Sequence, residues 1–227
     1  MIELEDIWKS YHLGKVQVDA LRGVNLSIQE GDFAAVAGPS GSGKTTIMNI
    51  SGLIDKPTSG SVRIGGRETS SFSRDELTRA RQQTLGFIFQ SFNLLPVLSV
   101  YENIELPLLL GKKMPPKPER RARVERLLEE VGLADRRRHL PQELSGGQQQ
   151  RVAIARALVT HPRIVIADEP TANLDSENGA RVLALMKRVN AENGTTFIFS
   201  THDSTIWQMA SHVIFLRDGL VHSEERK

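Results

Sequence analysis

The hydrophobic pattern along the chain is of two kinds. Short apolar runs that carry almost no charge lie at 33–37, 85–89, 163–167 and 196–199. Runs of this length predict strands that are buried on both faces, as in a parallel sheet. Residues 2–8 and 21–28 instead alternate between apolar and polar, which predicts half-buried strands near the N-terminus. We therefore expect an α/β fold with a mostly parallel sheet and an N-terminal antiparallel β part.

Two connecting segments and the C-terminus complete this pattern. The polar stretch Ser10–Gly14 predicts a turn between the two N-terminal strands. Residues 213–221 contain two short apolar runs joined by Arg217-Asp218-Gly219, which predicts a closing hairpin. The polar tail 223–227 is expected to fray.

Two serines predict helix starts. Ser73 is followed three residues later by Glu76, which is the pattern of a capping box. Ser176 is expected to cap a long amphipathic helix. The inner face of that helix would carry Val182, Leu185, Met186 and Val189.

The middle third of the chain differs from the rest. Residues 119–131 place apolar side chains at helical spacing, and Gly132 ends that helix. Pro96 and Pro107 interrupt the apolar segment before it, which favours loop and short helix over sheet. We expect one domain over 1–227. Its core would span about 1–90 and 160–227, with a helical subdomain of about 91–159 inserted into it.

Composition excludes several kinds of protein. The 227 residues contain no cysteine, which excludes disulfides, thiolate metal sites and a cysteine nucleophile. A net charge of +2 is close to balance and gives no reason to expect nucleic-acid binding. No apolar stretch has the length of a membrane span, and the acidic N-terminus does not resemble a signal peptide. These features favour a cytoplasmic location.

A glycine-rich loop follows the apolar run 33–37 and precedes a short helical segment. Its residues match G-x-x-x-x-G-K-[ST] in the strand–turn–helix context that this pattern requires. Backbone N–H groups that turn inward, together with the start of a helix, form a site for phosphate oxygens. The sequence thus predicts a P-loop nucleoside triphosphatase core; an ordinary surface loop that contains a lysine is the alternative. The predicted nucleotide-binding residues here are Gly38, Pro39, Ser40, Gly41, Ser42, Gly43, Lys44, Thr45 and Thr46.

Three more predicted strands end in polar residues, at Gln90, at Asp168-Glu169 and at His202. Ligands of open α/β sheets bind beyond the carboxyl ends of the strands. Asp168 is the expected acid that holds Mg²⁺ together with Thr45, and Glu169 is then free to accept a proton from an attacking water. For Asp168-Glu169, the alternative is a helix start whose dipole favours two acidic residues. For His202, the alternative is a structural histidine.

The stretch Leu144–Arg151 is not explained by a P-loop alone. Ser145 is a good N-cap for the helix that follows, and Gly146-Gly147 at its start could bind an anion. An ordinary helix start softened by glycine is the alternative. If the anion-binding interpretation is right, the chain has two phosphate sites that one nucleotide is unlikely to bridge within a monomer. Two copies related by a two-fold axis, head to tail, would complete both sites twice.

These motifs together resemble the nucleotide-binding subunit of an ABC transporter over essentially the whole chain. Ser145, Gly146, Gly147 and Gln148 are similar to the family signature, Gln90 to its Q-loop, Asn173, Leu174 and Asp175 to its D-loop, and His202 to its switch histidine. The resemblance implies that Tyr11 stacks on adenine. It also implies that Gln90 joins Thr45 and Asp168 at the metal, and that Glu169, His202, Gln90 and Lys44 are catalytic.

The segments 86–95 and 101–107 resemble a narrower branch of that family, the MacB/LolD-like ATPases, which also includes FtsE-like proteins. The resemblance implies that two copies close on two MgATP and drive an integral-membrane permease that docks near Phe92–Tyr101. The chain would then lie on the cytoplasmic face of the inner or plasma membrane. The alternatives are FtsE-like signalling without transport, a soluble ABC ATPase of translation or DNA repair, and a small-molecule kinase.

Overall fold

The computed structural model describes residues 1–14, 16–111 and 114–227. The strands are β1 (Ile2–Leu13), β2 (Val16–Ile28), β3 (Phe33–Ala37), β4 (Ser59–Ile64), β5 (Arg67–Glu68), β6 (Leu85–Ile88), β7 (Ile164–Asp168), β8 (Thr196–Thr201), β9 (His212–Arg217) and β10 (Leu220–Arg226). The helices are α1 (Lys44–Ser51), α2 (Arg74–Thr84), α3 (Val100–Leu110), α4 (Lys117–Glu130), α5 (Gly146–Leu158), α6 (Ser176–Asn193) and α7 (Ser204–Met209). Among the residues described, none of these helices has the length and apolar character needed to cross a bilayer.

Six strands form the central sheet, in the order β10-β9-β3-β8-β7-β6. All neighbours in it are parallel except β9 and β10, which form the predicted closing hairpin. The five residues of β3 are fully buried, as their apolar run predicts. Because β3, β6, β7 and β8 run in one direction, their carboxyl ends meet at a single edge of the sheet. The predicted α/β fold class is confirmed.

The second sheet is antiparallel, in the order β2-β1-β4-β5. The predicted turn at Ser10–Gly14 is wrong for most of its length, because β1 continues to Leu13. Tyr11 pairs with Val18 of β2. Register shifts after Leu4 and Ile7 interrupt the alternation of apolar and polar residues, so the pattern stops while the hydrogen-bonded ladder continues.

Two local predictions are also corrected. The tail 223–227 does not fray, because β10 runs to Arg226, whose guanidinium donates to Asp32 and to the carbonyl oxygen of Ser27. The N-cap of α6 is Asp175, not Ser176. The Asp175 carboxylate accepts from the backbone N–H of Asn178 at 2.9 Å.

Apolar clusters cover both faces of the central sheet. The first cluster contains side chains of α1 and of the antiparallel sheet, and Ile47 and Ile50 of α1 are buried in it. The other contains α3, α4, α5 and α6, with buried residues such as Ile104, Leu128 and Val152. Because α3, α4 and α5 pack on one another and follow one another in the chain, we propose that about 91–159 is the inserted helical subdomain.

Candidate functional site

A cavity of about 620 Å³ lies at the carboxyl edge of the central sheet. It brings together the glycine-rich loop and the residues that end β6, β7 and β8. Its lining residues are Ala20, Gly38, Pro39, Ser40, Gly41, Gly43, Lys44, Thr45, Thr46, Gln90, Asp168, Glu169 and His202. Every strand end that the sequence marks as polar therefore faces one cavity.

The backbone of the glycine-rich loop has the shape that the motif predicts. Gly43 is the N-cap of α1, and no side chain caps that helix. Gly43 has φ +103°, and a Cβ added there would lie 2.7 Å from the carbonyl oxygen of Ala20. A Cβ at Gly38 would lie 2.2 Å from the carbonyl oxygen of Leu216. Only glycine fits both positions, and the uncapped helix start directs its N–H groups and partial positive charge into the cavity.

The closing hairpin supports this loop from outside. The backbone N–H of Gly219 donates to the carbonyl oxygen of Ser42 at 3.1 Å. The carbonyl oxygen of Gly219 accepts from the N–H of Arg22 at 2.9 Å. One glycine of the turn thus joins the P-loop to β2. Sequence analysis did not assign the hairpin a role at the site.

Lys44 supplies the positive charge of the loop. Its ammonium lies 2.9 Å from the carbonyl oxygens of both Gly38 and Pro39. These contacts hold the ammonium at the rim of the loop, where it is available to phosphate oxygens.

Thr45 and Asp168 form the part of the cavity suited to a divalent cation. The Thr45 hydroxyl lies 3.4 Å from Asp168 Oδ2. Ser200, which pairs with Asp168 across β7 and β8, donates its hydroxyl to Asp168 Oδ1 and orients the carboxylate. Hydroxyl and carboxylate oxygens are ligands that Mg²⁺ accepts together with phosphate and water. Among the described residues, no group of three or more His, Cys, Asp or Glu side chains is placed to hold a metal ion.

Glu169 and His202 form a pair beside this group. His202 Nδ1 lies 2.8 Å from Glu169 Oε2. Glu169 has φ +50°, a left-handed conformation that costs on the order of 1–3 kcal/mol. Its N–H donates to the carbonyl oxygen of Ser200, which fixes this backbone. Asp168 contacts Thr45 and Ser200 whereas Glu169 contacts His202, so the two adjacent carboxylates can act on different groups.

The predicted signature residues lie elsewhere and do not line the cavity. Ser145 caps α5 by accepting from the N–H of Gln148, and Gln148 Oε1 accepts from the N–H of Ser145 in return. The prediction that Ser145 is the N-cap of this helix is confirmed, and the cap is part of a capping box with Gln148. Gly146 is exposed, and a Cβ added there would meet only Phe92, at 3.8 Å.

The predicted D-loop lies between the signature residues and Gln90. Asn173 donates its amide to the carbonyl oxygen of Gln90 at 3.3 Å. A Cβ at Gly147 would lie 3.3 Å from Leu174 Cδ2 and 3.4 Å from the carbonyl oxygen of Asn173. These contacts give the P-loop cavity and the start of α5 a shared neighbour within one chain.

Tyr11 is not among the residues that line the cavity. Its hydroxyl is hydrogen-bonded to Asp55 at 2.9 Å. Burial raises the pKa of the phenol, and Thr46, which lines the cavity, opposes the shift. The family resemblance marks Tyr11, whereas no sequence motif marks Asp55.

Comparison with known proteins identifies this arrangement. A model of the family described as "ABC transporter" matches residues 21–172. The chain belongs to the ABC transporter family. This chain, an ATP-binding cassette, is 46% identical over 228 residues to the ABC transporter ATP-binding protein MJ0796 of Methanocaldococcus jannaschii. The match covers 100% of this chain and 97% of that protein. The predicted family, the P-loop fold and the ATPase class are thus confirmed.

Two further similarities bear on assembly. A solved dimer of the MJ0796 cassette in a post-hydrolysis state, bound to ADP and Pi, has a TM-score of 0.95 and 45% identity, and the match covers 100% of this chain and 98% of that one. The macrolide export ATP-binding/permease protein MacB of Bdellovibrio bacteriovorus is 47% identical over 226 residues. The chain spans about a third of the length of that protein, since the match covers 34% of it.

Proposed function

We propose that two copies of this cassette close head to tail on two MgATP, and that hydrolysis of ATP drives an integral-membrane permease of the MacB/LolD-like type. The observation that carries the proposal is that the start of α5, where Gly146 is exposed, is not part of the cavity that contains the start of α1. A second copy would bring its α5 start to the cavity of the first.

The residues of the cavity have distinct roles in this proposal. Lys44 and the P-loop N–H groups would bind the β- and γ-phosphates, and Thr45 and Asp168 would hold Mg²⁺, with Gln90 beside them. Mg²⁺, when bound, supplies positive charge to the phosphate oxygens. Glu169 would accept the proton of the attacking water.

The other proposed roles concern the γ-phosphate and the signal it gives. His202 is held by Glu169 at the mouth of the cavity and would contact the γ-phosphate. The partner's Ser145 and Gly146 would meet the same phosphate from the opposite side. The D-loop residues Asn173 and Leu174 contact Gln90 and Gly147, so they would report closure to both sites. Loss of the γ-phosphate would remove the charge that holds the two copies together.

An apolar groove supports the proposed permease contact. A second cavity, of about 430 Å³, lies between the central sheet and α3, next to the predicted docking segment Phe92–Tyr101. Apolar lining residues are Ile54, Leu85, Phe87, Phe89, Leu106, Pro107, Leu110 and Ala157. The side chains of Ile54 and Leu110 are 48% and 61% exposed. Apolar side chains that are exposed to water along one groove are typical of a protein contact site.

A permease helix would therefore bury its apolar face here, and the cassette would lie on the cytoplasmic face of the membrane. Asn93 lines the groove close to Gln90, so nucleotide state and permease contact would be coupled over a short distance. Arg156 donates to the carbonyl oxygens of Phe92 and Asn93 and ties the start of this segment to α5.

Leu110→Asp should abolish co-purification with the permease, because it places a charge in an apolar contact. The ATPase activity of the isolated cassette should stay within about twofold, because Leu110 lies outside the nucleotide cavity. Val16→Asp is the matched control, since Val16 is also 61% exposed but lies on β2. Retention of the permease by the Leu110 variant would contradict this docking surface.

A further inference from the structure

Three charged or polar side chains meet beside the cavity from distant parts of the sequence. Lys9 Nζ lies 2.8 Å from Asp55 Oδ1, and the Tyr11 hydroxyl lies 2.9 Å from Asp55 Oδ2. Lys9 also donates to the carbonyl oxygen of Lys56 at 2.8 Å. Both carboxylate oxygens of Asp55 are therefore used to hold two residues of β1.

Asp55 is fixed to the helix that begins at the P-loop. Its backbone N–H donates to the carbonyl oxygen of Asn49 in α1, and so does that of Ile54. The helix has only eight residues, or about 12 Å at 1.5 Å per residue. The P-loop at its start and Asp55 beyond its end thus belong to one rigid element, and Tyr11 is hydrogen-bonded to that element.

The protonation states suit these bonds. Burial raises the pKa of the Asp55 carboxyl, but hydrogen bonds from Lys9, Tyr11 and the Lys56 backbone outweigh it, and the pKa lies below its ordinary value. Burial, with Asp55 nearby, raises the pKa of Tyr11, although a hydrogen bond with Thr46 opposes the shift. At neutral pH the carboxylate is charged and the phenol keeps its proton, so the phenol donates.

Lys9 also occupies one face of the Tyr11 ring. Its ammonium lies 4.9 Å from the ring centroid, within the range of a cation–π contact. A flat base can therefore stack only on the opposite face. The hydroxyl end of the ring is hydrogen-bonded to Asp55, which restrains the orientation of the ring.

We propose that Asp55 and Lys9 are positioning residues that set Tyr11 as a one-sided platform for the adenine of ATP. This inference rests on the proposed function, ATP binding at the P-loop cavity, and on the base contact that the family resemblance implies for Tyr11. Neither residue touches the nucleotide; each acts through the ring.

The test is to measure Kd for ATP and for inorganic triphosphate, which has no base, with four variants. Tyr11→Ala should raise Kd for ATP about fivefold, the share of one stacking contact, and leave Kd for triphosphate unchanged. Tyr11→Phe, Asp55→Asn and Lys9→Met keep the ring and should each raise Kd for ATP by roughly two- to fivefold, again without an effect on triphosphate.

The outcomes separate the two levels of the proposal. If only Tyr11→Ala weakens ATP, the base contact stands and the positioning role of Asp55 and Lys9 is overturned. If Tyr11→Ala binds ATP as the unaltered chain does, the base contact itself is overturned. If Asp55→Asn raises Kd for ATP and for triphosphate equally, Asp55 supports α1 and the P-loop, and its role in positioning Tyr11 is overturned. Tyr11→Phe removes only a hydroxyl, so it decides the matter even if Asp55→Asn fails to fold.

Discussion

Glu169→Gln is expected to lower ATP turnover by about 10²–10⁴-fold, the usual share of a general base, while ATP binding is retained. The amide keeps the shape of the side chain and can still hydrogen-bond to His202, but it cannot accept a proton. Asp168, Thr45 and the P-loop are unchanged, so the groups proposed to bind phosphate and Mg²⁺ remain. The measurement is kcat from phosphate release, with Kd for ATP determined on the same preparation.

The same variant should accumulate as an ATP-bound dimer, because closure precedes the step that it blocks. Glu192→Gln, an exposed carboxylate near the end of α6, is the control and should hydrolyse ATP normally. Undiminished hydrolysis in the Glu169 variant would remove Glu169 from the role of base and leave its strained backbone without explanation.

Ser145→Arg is expected to abolish ATP-dependent dimerisation while the monomer still binds ATP. The substitution places a long cation at the α5 start, where the proposed second copy would approach the γ-phosphate closely. Because the signature residues do not line the cavity of their own chain, nucleotide affinity of the monomer should be nearly unaffected. Turnover should fall with the dimer. Light scattering with MgATP measures the first effect.

Loss of the N-cap must be separated from loss of the interface, since removing a serine cap costs about 0.5–2 kcal/mol. Ser73→Arg is a matched control, because Ser73 forms the same kind of capping box, with Glu76 on α2. Both variants should lose similar thermal stability, but the Ser73 variant should still dimerise. Normal dimers in the Ser145 variant would contradict a site shared between two chains.

The motifs that line the cavity could be placed from the sequence because each follows a strand with an unambiguous pattern. The buried strands β3, β7 and β8 read as continuous apolar runs, and parallel strands carry their carboxyl ends to the same edge. The convergence of Lys44 with Asp168 at one cavity follows from that pattern. Ser200 was missed because its role depends on lying directly opposite Asp168, a register that the sequence does not state.

Contacts between distant segments could not be predicted. Asp55 and Tyr11 are 44 residues apart, and Gly219 meets Ser42 only because β9 lies next to β3 in the sheet. Such pairs depend on strand order, which local patterns do not give.

Two local predictions were wrong, at the N-cap of α6 and at the C-terminal tail. The wrong cap at Ser176 arose because Asp175 is an equally good capping residue one position earlier. The fraying predicted for the tail ignored long-range partners such as Asp32.

Cross-linking tests most directly whether each nucleotide is enclosed by two chains. The sequence has no cysteine, so Ser40→Cys and Ser145→Cys can be introduced into separate chains in the Glu169→Gln background. With MgATP and an oxidant, a mixture of the two should give a disulfide-linked dimer, and each variant alone should not. Cross-linking of either variant with itself, or none in the mixture, would contradict the head-to-tail arrangement on which the account rests.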